Sequence, residues 1–212
     1  MAKTRIETGT DGTWIFCDPD EGARASNLAL FVHGYGGDAD ETWLRFPNLM
    51  LQADQGFFER FDIASFGYGS SLLANREDLE SLTGRLRTFL LAYGNRAENL
   101  FIICHSLGGL LARRLLVDCH AQPRYRQLLG RVRQVHFVGV PHLGAAPARR
   151  GLVALIRPVN RLAWDLRKNS PELADTLTRW LAIVDTVGEW GRACPDCSTT
   201  WAARTGWPPC PR

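Results

Sequence analysis

The stretch from Phe101 to Gly109, FIICHSLGG, constrains this chain more than any other. Its uncharged apolar run reads as a buried strand. The run stops at a His-Ser pair, and LGGLLARRLLVDC then reads as a helix from Leu107 to Cys119, with Leu110, Leu111, Leu115 and Leu116 as its apolar stripe. A strand can become a helix so abruptly only through a sharp bend. The residues two positions either side of the serine, Cys104 and Gly108, are small enough to allow one. Unpaired N–H groups at the start of that helix then point at Ser106, and the Leu107 N–H can donate to a developing oxyanion. Ser106 is the candidate nucleophile. The competing reading is an idle turn serine.

The flanking pattern repeats the alternation. Thr13 to Cys17, Leu28 to Val32, Phe61 to Tyr68, Leu100 to Cys104 and Val132 to Val140 read as strands. Asp40 to about Phe58 is largely helical, broken at Pro47 and Gly56. Asn75 to Tyr93 is amphipathic, with Leu79, Leu82, Leu86, Phe89 and Leu90 on one face, and Gly94 ends it. Arg149 to Asn169 and Pro171 to Val184 also look helical. Strand and helix alternating at this spacing imply parallel pairing and right-handed crossovers. The expected fold is α/β: a doubly wound, mostly parallel sheet with helices on both faces, occupying residues 1–185. Residues 186–212 read as an irregular tail rich in Cys, Trp and Pro.

A second motif follows the Leu28–Val32 run. In VHGYGG, residues 32–37, the glycines let the backbone turn tightly and approach a ligand. A backbone N–H near Tyr35 would be the second oxyanion donor. His33 is expected to tie the loop down by hydrogen bonds.

With these motifs the chain resembles the α/β-hydrolase family, and more nearly its SERAC1-like, GPI-inositol-deacylase-like and DUF676-type serine esterases and lipases. The resemblance runs over roughly residues 13–180. It rests on FVHGYGGDADETW (31–43), ASFGYGS (64–70), CHSLGGLLAR (104–113) and VGVPHLGA (138–145). It implies ester hydrolysis without a metal or other cofactor, often on a lipid-like acyl substrate. Ser106 is then the nucleophile, and the Tyr35 and Leu107 amides form the oxyanion hole.

The same resemblance implies an order of nucleophile, acid, histidine, with the last two on loops after later strands. Five histidines are present: His33, His105, His120, His136 and His142. His105 adjoins the nucleophile but is expected to point away from the catalytic face. His120 sits at the far end of the following helix, and His136 lies inside a strand. His142 follows a strand's C-terminal end, the edge where such sheets do chemistry, so it is the weak candidate base. Leu181 to Asp185 is the remaining run that could end in the acid. Asp185 is a weak candidate there, and equally a helix-terminal carboxylate. The last strands of the fold, and a histidine after residue 142, are not evident.

The tail admits two further expectations. Its composition suits out-of-frame translation or a truncated gene end in GC-rich DNA. Cys194 and Cys197 form a C-x-x-C pair and Cys210 could be a third thiolate, but a closed zinc site needs four ligands, so no metal is expected. The basic stretch Arg149 to Lys168 reads as a helix with a solvated face, or as a lid that meets a lipid surface. A formal charge of +3 is too mild to imply a nucleic-acid partner. The polar N-terminus lacks a secretory signal, and no run reaches the ~18 apolar residues of a membrane span. The expected setting is cytoplasmic, with reduced thiols and transient membrane contact at most.

Two functions follow from the sequence. One is a serine hydrolase of carboxylic esters, lipid esters included. The other is an inactive or truncated hydrolase fold used as a binding module, supported by the missing histidine. Acyl transfer or thioester cleavage would share the site. A dehalogenase is disfavoured, because that chemistry on this fold uses a carboxylate nucleophile.

Overall fold

The computed structural model describes residues 3–9, 11–19, 25–53, 55–69, 77–144, 162, 165–186, 190–191 and 200–203. Strands are β1 (Thr4–Glu7), β2 (Trp14–Cys17), β3 (Asn27–Val32), β4 (Phe61–Phe66), β5 (Asn99–His105), β6 (Val132–Val138), β7 (Trp190–Gly191) and β8 (Thr200–Ala203). Helices are α1 (Phe46–Ala53), α2 (Gln55–Arg60), α3 (Leu79–Tyr93), α4 (Leu107–Ala121), α5 (Arg126–Arg131) and α6 (Pro171–Thr186). Among the described residues they form one sheet in the order β1-β2-β4-β3-β5-β6-β8-β7.

The four inner strands, β4, β3, β5 and β6, are parallel. The flanking pairs are antiparallel. Period-2 alternation explains how the sheet is covered on both sides. Leu28, Leu30 and Val32 of β3 join one core with Leu82, Leu86 and Leu90 of α3 and Leu110 and Leu111 of α4. Ala29 and Phe31 face the other way, into a smaller core with Trp14 and Ile63, against which Trp43, Met50 and Phe57 pack. The chain is therefore an α/β fold, doubly wound about a parallel centre.

Two differences from the sequence reading stand out. Thr4–Glu7 is a strand, paired with β2 through Thr4↔Cys17 to Glu7↔Trp14. It is too short and too polar to show in the sequence pattern. The sheet also continues past β6: His136 pairs with Thr200 and Gln134 with Ala202, so part of the tail adds an antiparallel edge. The helical reading of Pro171 to Val184 holds: Leu181–Asp185 is the end of α6, Pro171–Thr186. That helix packs inward through Leu173, Trp180 and Ile183, and Trp180 meets Phe137 of β6 edge-on at 6.2 Å. Most of the basic stretch 149–168 and all three tail cysteines lie outside the described residues. Asp165 is described, and its Oδ2 accepts the Leu79 N–H at the start of α3 at 3.0 Å. No described helix is long and apolar enough to cross a membrane.

Candidate active site

The order β4-β3-β5-β6 fixes where a site can form. After β3 the chain returns through α1 and α2 to β4 on one side. After β5 it returns through α4 to β6 on the other. The exits of β3 and β5 diverge, leaving a crevice at the carboxyl edge between them. VHGYGG and Ser106 sit at those two exits, because Val32 pairs with Cys104.

Ser106 has φ 49° and ψ −118°. Positive φ is strained for a residue with a Cβ, costing on the order of 1–3 kcal/mol. The bend begins directly after His105 and α4 begins directly after Ser106. The serine occupies the helix N-cap position, yet its side chain makes no capping bond. An idle N-cap serine would use its hydroxyl there. The Ser106 N–H donates to the Val138 carbonyl at 2.9 Å, which ties the elbow to the exit of β6.

Glycines allow the close approaches around it. A Cβ on Gly108 would run into the carbonyl oxygens of Val32 and His33, so α4 starts against the backbone of β3. A Cβ on Gly34 would stand 2.7 Å from His105 Nδ1 and 2.9 Å from Ser106 Cβ. The VHGYGG backbone therefore passes directly over the elbow. Its turn closes with the Gly37 N–H donating to Gly34 O at 3.2 Å. Tyr35 stands in that turn, partly buried against the main core. Leu107 is buried as the first residue of α4.

His33 holds the loop. It is fully buried, its ring stacks on Tyr68 at 4.1 Å, and the Tyr68 hydroxyl donates to the His33 carbonyl at 2.6 Å. Nδ1 is 2.8 Å from Gly34 O and Nε2 receives the Tyr68 N–H at 3.3 Å. A carbonyl can only accept, so Nδ1 carries the proton and both nitrogens are committed. Burial pushes the imidazole pKa down, only partly offset by the Gly34 carbonyl.

The other histidines are spread out. The His105 ring does not leave the site as the sequence reading has it. It is exposed at the same edge, beside Gly34 and about 3.9 Å from where a Cβ on Gly139 would stand. His120 is exposed in the last turn of α4. His136 lies on β6 with Nε2 3.3 Å from Gln134 Oε1, and burial lowers its pKa. His142 is half-buried on the loop leaving β6. Its Nδ1 is 3.0 Å from Arg113 Nη1, and burial together with the Arg113 charge lowers its pKa to about 4. Among the described residues no imidazole is hydrogen-bonded to the Ser106 hydroxyl. Asp185 stands in the last turn of α6, the helix-terminal alternative of the sequence reading.

The sequence reading passes over Arg113. It is completely buried in the middle of α4, and burial pulls its pKa down to about 10. The signal available was an arginine three residues after Leu110, on the helix's apolar stripe. A cavity of about 320 Å³ between β1, β2 and α1 is lined by Arg5, Trp14 and Asp40 among others and shares no residue with the elbow. Among the described residues, no group of three or more His, Cys, Asp or Glu could hold a metal.

The model of the "Alpha/beta hydrolase family" matches residues 29–212, which include VHGYGG, the elbow and the tail. The chain belongs to the alpha/beta hydrolase family. A curated relative, Protein SERAC1 of Mus musculus, is 23% identical over 163 residues, covering 64% of this chain and 25% of the relative. The chain thus spans about a quarter of the length of the curated protein it matches. Among solved structures, Phospholipase PlaB from Legionella pneumophila is similar with a TM-score of 0.54 at 17% identity, over 73% of this chain and 34% of that one. Bacillus licheniformis lipase BlEst2 in its mature form gives a TM-score of 0.45 at 19% identity, over 84% of this chain and 66% of that one. At 17% identity the PlaB likeness speaks for the fold alone.

Proposed function

We propose that this hydrolase cleaves carboxylic esters with Ser106 as nucleophile. The observation that carries the proposal is the Ser106 backbone: a strained residue at the head of a helix whose hydroxyl is spared from capping. In the proposed reaction Oγ attacks the ester carbonyl and the backbone N–H groups of Tyr35 and Leu107 receive the oxyanion. The alcohol then leaves with a proton, and water releases the acyl group from the serine. Val138 and Leu143, exposed at the exit of β6, favour an ester with an apolar group, and lipid esters belong to this class. The lipase and phospholipase neighbours support the same class. Cys17, Cys104 and Cys119 are buried free thiols, in keeping with a cytoplasmic setting.

A second reading, a hydrolase fold that binds without turning over, is favoured by one observation. All five histidines are described, and among the described residues none is hydrogen-bonded to Ser106. One experiment separates the two. Purified protein is treated with a fluorophosphonate probe beside Ser106→Ala. Rapid labelling that vanishes in the variant is the expected result. A folded protein that does not label, with an intact melting transition, leaves the binding reading standing.

A further inference from the structure

Every histidine of the sequence is among the described residues, and four of the five are unsuited to serve Ser106 as a base. Both ring nitrogens of His33 are committed, Nδ1 to the Gly34 carbonyl and Nε2 to the Tyr68 N–H. His120 stands in the last turn of α4, whose first residue follows Ser106, so it is about 20 Å from the elbow along the helix axis. His136 lies beside Ile103, inside the sheet rather than at its edge, and its Nε2 is 3.3 Å from Gln134 Oε1. Nδ1 of His142 is 3.0 Å from Arg113 Nη1. A guanidinium only donates, so this Nδ1 accepts, the neutral ring carries its proton on Nε2, and no lone pair is left over.

His105 differs from all four. It is the last residue of β5, paired with Val138, and it is exposed at the carboxyl edge. Among the described residues no hydrogen bond takes up either ring nitrogen. Glycines face both of them. A Cβ on Gly34 would stand 2.7 Å from Nδ1, and one on Gly139 would stand 3.9 Å from Nε2. The ring therefore lies between the exits of β3 and β6, and neither glycine has a side chain to cover it. The Gly34 position also shows how near the nucleophile is. His105 Nδ1 at 2.7 Å and Ser106 Cβ at 2.9 Å stand around the same point. Their separation is at most the sum of the two, within the reach of one bridging water, and a general base acts directly or through one water.

We propose that His105 is the general base for Ser106, taking the nucleophile's proton through one bridging water. The inference rests on the ester-hydrolase reading above and names the group that reading leaves open. In the first half-reaction Oγ bonds to the ester carbonyl carbon and gives its proton to the water, and the water gives one of its own to His105 Nδ1. The imidazolium returns a proton to the alkoxide oxygen as the C–O bond breaks. In the second half Nδ1 draws a proton from the water that attacks the acyl carbon, and Ser106 Oγ recovers it as the carboxylic acid leaves. For Nδ1 to accept, the neutral ring carries its hydrogen on Nε2.

Fluorophosphonate labelling rates test it, because the probe reads the activated serine directly. His105→Ala and His105→Gln should each label about 10²- to 10⁴-fold more slowly than the unaltered protein. The melting midpoint should not move, since the residue is exposed. Added imidazole should restore part of the rate in His105→Ala, by entering the space the ring leaves, and none in Ser106→Ala. A merely structural ring would not be replaced by free imidazole. Three results overturn the proposal: labelling within about threefold of the unaltered rate in both variants, a loss that imidazole leaves untouched, or a loss produced by His142→Asn and not by the His105 variants. If the folded, unaltered protein does not label, the hydrolase reading itself fails and the base falls with it. If it labels and the His105 variants label equally, that reading stands and only the base is lost.

Discussion

At the scale of single residues, Ser106 holds the most informative conflict. Its φ of 49° suits glycine far better than serine, and a fold selected for stability alone would not keep a side chain there. Ser106→Gly should relieve ~1–3 kcal/mol of strain and lose ~1 kcal/mol to the freer unfolded chain. The expected net gain is about 1 kcal/mol in urea denaturation, with probe labelling abolished. A loss of more than about 1 kcal/mol would mean the elbow is not strained. His33 makes the complementary point. Its position before three glycines suggested a tie for the loop, and the two ring nitrogens and the Tyr68 stack are that tie.

At the scale of elements, the sequence revealed what repeats and hid what does not. The buried face of α3 is the stripe its periodicity shows: Leu79, Leu82, Leu86, Phe89 and Leu90 are all buried. The four inner strands were legible because parallel strands covered on both faces are near-continuous apolar runs. Strand β1 was not, because Thr4, Arg5 and Glu7 are exposed and its anchor lies just before it. That anchor is Lys3, whose Nζ lies 3.1 Å from Asp62 Oδ1 and donates to Phe61 O at 2.6 Å. Both side chains are only 6% exposed, and desolvation keeps the Asp62 pKa raised in spite of the lysine. Lys3→Met strands a buried carboxylate and should cost about 3 kcal/mol in chemical denaturation. Adding Asp62→Asn should recover much of the loss, and a double variant no better than the single one would show that the pair is not coupled. The site was legible only in part for a related reason. The elbow and the glycine loop are local in sequence, whereas the Arg113–His142 contact joins residues 29 apart that no pattern connects.

At the scale of the whole molecule, histidine burial predicts how the fold responds to acid. His33, His136 and His142 all have lowered pKa values, each chiefly through desolvation, with the Arg113 charge adding to the effect at His142. A histidine kept neutral in the fold takes up its proton first in the unfolded chain, so stability falls as pH drops. For His142 the window runs from its ordinary 6.5 down to about 4, and the loss is on the order of 1–3 kcal/mol. Urea midpoints measured at steps between these values should decline, and His142→Asn should flatten part of the slope. A flat profile in the unaltered protein would contradict the burial of these rings.

The parallel centre has one more consequence, for the order of events as the chain folds. Strand β5 must find β3, whose facing residues Asn27 and Asn99 are 72 positions apart, and closing so long a loop is a slow search compared with forming a helix. The bend at Ser106 lies against that meeting, since a Cβ at Gly108 would run into the backbone of Val32 and His33. The elbow is thus assembled late and by remote partners, and the probe labelling proposed for Ser106, followed during refolding, is a clock for the completion of the sheet.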